Sequence, residues 1–263
     1  MRYVNVSFLL AGLLFNVYAA GNDALINLRR KHSETTEGRL IPWTGDELEL
    51  LEQPPLFELQ SAASETRARG WMSAHIHGFI MSIMVRDDRH VNTRQGADIW
   101  DGDAIQLGID ADGSGVGSRD PGSAFVGPND ASITVALTRQ GPRAWAHYHG
   151  NPHRRGAIRD MDMHITRDED AQQTRYSLYF NWSDFQLKPG ISEKMGVAVQ
   201  VNDTDDGPQQ LRLKWGDGAG GNLRPGLFRT VRLDIPDEEF VSILPYKTNV
   251  WTADDSMQIL IAA

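Results

Sequence analysis

Short runs of alternating apolar and polar residues make up most of this chain. Nearly every run ends in a cluster of Gly, Asp, Asn or Pro. A period of two places every second side chain on the same face of an extended strand, so a chain written this way folds as sheets. The clearest run is DAIQLGID (103–110). Ile105, Leu107 and Ile109 share one face, and Ala104, Gln106 and Gly108 share the other. Further strands are expected at 131–138 and 143–150, joined by RQGP, and at 174–182, 195–203 and 229–235. A hairpin is expected around Gly78, with Ile80, Ile83 and Val85 as its apolar positions. Trp182–Phe185 reads as a short helical turn. The connections DADGSGVGSRDPGS, GNPHRRG and NDTDDGPQQ carry the residues that turns require. Many short strands with few helical windows indicate an antiparallel all-β sandwich or barrel.

The 263 residues are 40% hydrophobic, enough for a sizeable core, and no composition break divides them into two folded domains. Lys and Arg number 26 against 35 Asp and Glu, a formal net charge of −9. A chain this acidic, with no basic block, has no face for nucleic acid or an anionic membrane. Residues 1–19 have one basic residue, an apolar run, and then Val17 and Ala19 in a small-x-small pattern. This is the pattern of a secretory signal peptide, so the protein is expected to be secreted or periplasmic. No later segment has the length of a membrane helix, so the mature chain is expected to have no membrane span. Residues 20–58 read as a polar leader, in which Pro54 and Pro55 end any helix begun at Asp46. The sandwich is expected over 59–263. The chain has no cysteine, so the fold is held by packing or bound metal, and thiol chemistry is excluded.

Five segments in order carry a resemblance: VRDDRHV (85–91), DIWDGDAIQLGID (98–110), YSLYFNW (176–182), MGVAVQVNDTDDG (195–207) and LKWGD (213–217). Together they resemble the family 9 carbohydrate-binding modules, with matching order and spacing over residues 60–235. The resemblance implies a jelly-roll-like antiparallel β-sandwich and non-catalytic binding of a sugar or polysaccharide end; the protein is then expected either to capture a solute or to act beside a separate carbohydrate-active enzyme. This chain departs from the family at the sugar site. Sugar-binding members have Glu where Gln106 stands, and Arg and Asn where Thr134 and Ala136 stand. Leu223 stands nearest the position of a second sandwiching tryptophan.

A sugar ring offers an apolar face and a rim of hydroxyls, which an aromatic platform and an amide match. Trp100 and Gln106 lie six residues apart, and strand alternation would put both on one face. Trp100 is then the stacking platform and Gln106 the hydroxyl partner, while Trp215 closes the site or sits in the core. Asp103, Asn202 and Asp203 are expected to shape loops. The oxygen-rich loops at 110–115 and 202–207 suit a structural calcium ion, with Asp110 and Asp112 as ligands. Two His-x-His pairs, His75/His77 and His147/His149, are each expected on one strand face, where alternate imidazoles form half of a transition-metal site. Sandwiches of this superfamily also hold haem through Met and His, for which Met72, Met81, Met84, Met161 and Met163 are the candidates. An enzyme reading would use Tyr148 with a nearby His and Arg154 as a lyase, or Asp101 and Asp103 as glycosidase carboxylates.

Overall fold

The computed structural model describes residues 54–62, 64–75, 78–115, 126–188, 194–205, 211–220 and 223–233. It also describes Leu51 and the backbone of five short strands: β1 (Tyr18–Ala20), β2 (Asp23–Leu25), β3 (Asn27–Leu28), β4 (Thr35–Thr36) and β5 (Arg39–Leu40). Most of the expected signal peptide, the helix expected from Asp46 and the side chains of His75 and His77 lie outside the described residues.

Twelve strands follow: β6 (Phe57–Gln60), β7 (Arg67–His75), β8 (Gly78–Arg86), β9 (Ala104–Asp110), β10 (Asp130–Thr138), β11 (Gly141–His149), β12 (Gly156–Ile158), β13 (Asp162–Asp168), β14 (Gln173–Asn181), β15 (Lys194–Asp203), β16 (Leu211–Trp215) and β17 (Arg229–Leu233). They form two sheets. The larger runs β12-β11-β10-β9-β15-β17-β3, with β16 also on β15; the smaller runs β13-β14-β8-β7-β6. Every pairing in them is antiparallel except the two-residue β17–β3 contact, which is parallel. The fold is the expected antiparallel β-sandwich, and Trp182–Phe185 is the expected short turn, a 3-10 helix.

The alternation of β9 explains the core. Ile105, Leu107 and Ile109 are fully buried, and Val135 of β10 and Val197, Val199 and Val201 of β15 join them. Phe79, Met81, Ile83, Tyr176, Leu178 and Phe180 of the smaller sheet face them. Ile83 and Val85 point inward as expected. Ile80 belongs to the other parity, because the inward set of β8 is odd-numbered; it is buried on the outer face of the smaller sheet. β9 pairs with β10 on one side and β15 on the other, so its backbone is shielded along both edges.

Strand β10 pairs with β11 with a register shift between Ser132 and Ile133: Ser132 opposes Tyr148, but Ile133 opposes Ala146. His147 is therefore the extra residue of a bulge, and the parity of β11 changes there.

Leu107 is fully enclosed at the centre of this core. Leu107→Ala should lower the unfolding free energy by about 2–5 kcal/mol. Urea denaturation would show it as a lower midpoint at unchanged slope, and a smaller loss would mean the sheets close over the gap.

Candidate functional site

The outer face of the larger sheet carries three rows of side chains. The middle row is Thr134, Gln106 and Gln200, directly opposed across β10, β9 and β15. On one side lies the row Ser132, Gly108 and Ala198; on the other, Ala104 opposes Asn202 beside Ala136. Each outer row is covered by apolar groups. Ile99, from the 3-10 turn Gly96–Trp100, joins Ala104 and Ala136 with Trp145 against them. Ala219, Leu223 and Phe228 cover Ala198 on the far side. A Cβ on Gly108 would lie 2.5 Å from Phe228 Cζ and 3.2 Å from the Ala219 Cα, so only glycine lets that segment sit so low.

A polar strip is left between the two covers. Gln200 Nε2 donates to Gln106 Oε1 and to Asn202 Oδ1, both at 2.7 Å. Asn202 Nδ2 donates to Gln106 Oε1 at 3.0 Å and to the Trp100 carbonyl at 2.9 Å. At the β11 end, Thr134 Oγ1 and His147 Nε2 are 2.9 Å apart. Burial lowers the pKa of His147, and the Asp98 charge opposes that shift. The floor of the strip is buried, and a Cβ on Gly220 would lie 2.9 Å from Gln200 Oε1. Gln106 Nε2 and Gln200 Oε1 have no protein partner among the described residues. The strip thus holds one spare donor group and one spare acceptor, with Trp145 packed along one side and the partly exposed Trp100 tied to it through its backbone carbonyl.

The structure brings Trp100 and Gln106 together by a different route from strand alternation. The strand starts only at Ala104, and Trp100 ends the 3-10 turn, so the period of two does not run between them. Their link is Asn202, which bridges the Trp100 carbonyl to the Gln106 amide. Trp215 lies elsewhere. It opposes Val199 on the core side of β15, and its ring stacks on Phe57 with centroids 5.2 Å apart. Gln200 and Thr134 complete the strip. Sequence alone gave no register to place them beside Gln106, although even-numbered spacing from Val197, Val199 and Val201 marks Gln200 as facing away from the core.

Asp110 and Asp112 come together with a third acid, Asp130, which sequence reading missed. One ligand oxygen from each lies within 4.8 Å of the others. Asp110 accepts from the amides of Ser114 and Gly115, and Asp130 from that of Gly127. Asp130 is 2% exposed, and its Oδ1 has no hydrogen-bond partner. A buried carboxylate oxygen without a donor fits a hard cation, so these residues suit calcium. Desolvation, then the hydrogen bond and charge of neighbouring acids, pushes Asp110 up to about 7; desolvation pushes Asp130 up to about 6.

The remaining candidates separate. The β11 bulge turns His147 to the strip, whereas His149 faces inward and stacks on Phe185, so the two do not share a face. His149 is 2% exposed, and burial followed by the charges of Arg154 and Arg155 lowers it to about 4. It cannot serve as an accessible base beside Tyr148, whose hydroxyl donates to the Gly127 carbonyl. Asp101 pairs with Arg94 at 2.7 Å, while both oxygens of Asp103 accept backbone amides, from Val91 and Thr204. Asp103 is thus the loop-shaping residue expected. Met72 and Met81 lie in the core, and Met161 and Met163 pack against it.

No protein-family model matches the sequence, and no curated protein matches it. Among solved structures, a family 9 carbohydrate-binding module from Caldicellulosiruptor kristjanssonii in complex with glucose is similar, with a TM-score of 0.56 at 15% identity over 81% of this chain and 97% of that chain. A module of that family from the same organism, in complex with cellotriose, has a TM-score of 0.52 at 16% identity over 70% and 83%. The chain has the fold of a family 9 carbohydrate-binding module.

The raised carboxyls make stability depend on pH. Desolvation is the main cause at Asp87 and Asp103 too, which reach about 7 and about 8. In the unfolded chain such groups titrate near pH 3.9, roughly. The fold holds their protons to higher pH, so this stabilisation is complete below about pH 4 and is lost as pH rises through the folded values. In chelator, the melting temperature should fall between about pH 5 and about pH 8. A flat profile would mean that these carboxyls are charged and compensated at all these pH values.

Proposed function

We propose that the protein binds a carbohydrate at the polar strip and does not transform it. The observation that carries this reading is the spare pair, Gln106 Nε2 as donor and Gln200 Oε1 as acceptor, on a strip bordered by Trp145 and joined through Asn202 to the backbone of the partly exposed Trp100. A sugar hydroxyl both donates and accepts, and so completes such a pair, while the ring's C–H face lies on an indole. The groups on the strip are neutral amides, a hydroxyl and His147, which suit an uncharged sugar. The same fold in modules with bound glucose and cellotriose supports glucose and its β-linked oligomers as the first ligands to try. Acid–base catalysis needs an accessible titratable group near the bound substrate; Thr134, Gln106, Gln200 and Asn202 supply none, and the His147 imidazole is engaged with Thr134 Oγ1 at 2.9 Å.

In this reading a calcium ion on Asp110, Asp112 and Asp130 stiffens the start of the 110–115 loop. The N-terminal segment directs the chain out of the cytoplasm, to the periplasm or the medium, where it works beside a separate carbohydrate-active enzyme. N-terminal sequencing of protein recovered from those fractions should begin near residue 20; a chain still starting at Met1 would exclude cleavage.

Thermal shift with glucose, cello-oligosaccharides and a wider sugar panel tests the binding. A ligand at 100 times its Kd adds about 2.7 kcal/mol, a clear rise in Tm. Gln106→Leu should weaken binding about tenfold or more, or about 1.4 kcal/mol, and Trp100→Ala should abolish the shift. Chelator should lower the Tm, and Asp130→Asn should remove part of the calcium response. A panel without any shift would rule out this ligand class.

A further inference from the structure

The outer face of the smaller sheet gathers a set of side chains that the polar strip does not use. On β8 the outward positions are even-numbered, because Phe79, Met81 and Ile83 point into the core. The register sets Arg67 of β7 directly opposite Arg86, with Gln173 of β14 on the other side of Arg86. In the next row Met84 stands between Arg69 and Arg175. Six adjacent positions on three strands thus hold four arginines, one Gln and one Met. Arg67, Arg69 and Arg86 are exposed, and Arg175, Gln173 and Met84 are half-buried. One row further on the face closes, because Trp71, Ser82 and Ser177 are buried. The arginines therefore line an open ledge at one end of the sheet.

The chain supplies few counter-charges to this ledge. Arg69 Nε lies 3.1 Å from Oε1 of Glu58, on the edge strand β6. The side chains of Arg67, Arg86 and Arg175 have no hydrogen bond or ion pair among the described residues. Asp168, opposite Gln173 on β13, is the acid at the other border, and its Oδ1 accepts the Ala171 amide. Like charges directly opposite on neighbouring strands are destabilising. Arg67 and Arg86 nevertheless face each other in a protein of net charge −9. A sequence with no basic block predicts no basic face; the register builds one from β7, β8 and β14, one or two arginines from each. Repulsion that the fold assembles and does not neutralise is relieved by an anionic ligand.

We propose that this ledge binds an acidic polysaccharide through its carboxylates, on the side of the sandwich opposite the polar strip. The planar guanidinium presents paired N–H donors that match a carboxylate. The Glu58–Arg69 contact shows one such pairing already in place. Arg67, Arg86 and Arg175 are the open positions, spread over three strands so that successive charges of one extended chain meet successive guanidiniums. Gln173 adds an amide for hydroxyls. Met84 is the one apolar side chain of the ledge, so it has little to insert into a bilayer. Trp71 is buried, so the ledge offers no aromatic ring on which nucleic-acid bases would stack. The ledge and the strip share no residue, and this inference does not rest on sugar binding at the strip.

The test uses the full chain with polygalacturonate as the probe, read by affinity electrophoresis and calorimetry. Chelator is present, so that no cation bridges the polymer to the protein's own acids. Wild type should bind, more weakly as salt rises, because the contacts are exposed charges. The double variant Arg67→Gln, Arg86→Gln should bind about tenfold more weakly or worse, with a flatter salt dependence. It should melt at or above wild type, since a facing pair of like charges is removed. Arg139→Gln with Arg143→Gln removes the same charge from exposed positions on the β10–β11 hairpin and should bind as wild type does. Gln106→Leu, which disables the strip, should also leave polygalacturonate binding unchanged, so the two sites fail separately. Wild type that does not bind polygalacturonate, or a folded Arg67→Gln, Arg86→Gln variant that binds it equally well, would overturn the proposal. So would binding of dextran sulfate, duplex DNA or phosphatidylglycerol vesicles without binding of polygalacturonate.

Discussion

The double burial of β9 is the constraint on which the rest of the structure depends. All seven of its residues are buried, and both backbone edges are paired. One face carries Ile105, Leu107 and Ile109 into the space between the sheets, where burying each aliphatic side chain contributes about 1.5–3 kcal/mol. The other face sets Gln106 between Thr134 and Gln200, so the same register that assembles the core assembles the polar strip. A one-residue slip would exchange the two faces and destroy both at once.

The strand pattern was legible because strand periodicity is local. β9, β10, β14 and β15 all stand where the alternation of Ile, Val and Leu with small or polar residues puts them. The shape of the site was less legible, because it rests on pairing between distant segments. The Asn202 bridge from Trp100 to Gln106 spans about a hundred residues, and Asp130 meets Asp110 only through the β9–β10 register. Two local rules also failed. Alternation was extended back to Trp100 through Asp-Gly-Asp, where the chain makes a 3-10 turn and a bend. His147 and His149 were assigned one face by the same rule, and a bulge between them changed the parity. Nothing in HYH marks a bulge, which shows only in the pairing with β10.

The strip differs from an ordinary buried hydrogen-bond network in its stoichiometry. Three amide side chains hold one another in fixed orientations, yet one donor and one acceptor are left over. Gln106 Nε2 and Gln200 Oε1 are the amide atoms left over for solvent or a ligand. The acid group of Asp110, Asp112 and Asp130 follows the same logic with charge in place of hydrogen bonds. It contains a carboxylate oxygen that the protein buries and does not satisfy. The chain has no cysteine, so no disulfide ties these segments together.

The segment between β16 and β17 leaves the sheet at Trp215, opposite Val199, and returns at Arg229, opposite Val197. Both feet of this excursion therefore stand on one strand, a single side-chain repeat apart. Between its feet, the buried Ala219, Leu223 and Phe228 seat it on Ala198 and over Gly108. That makes it a wall of the strip set by the sheet beneath it: Gly220 stands directly over the Gln106 and Gln200 amides, so any side chain there would close the space above them.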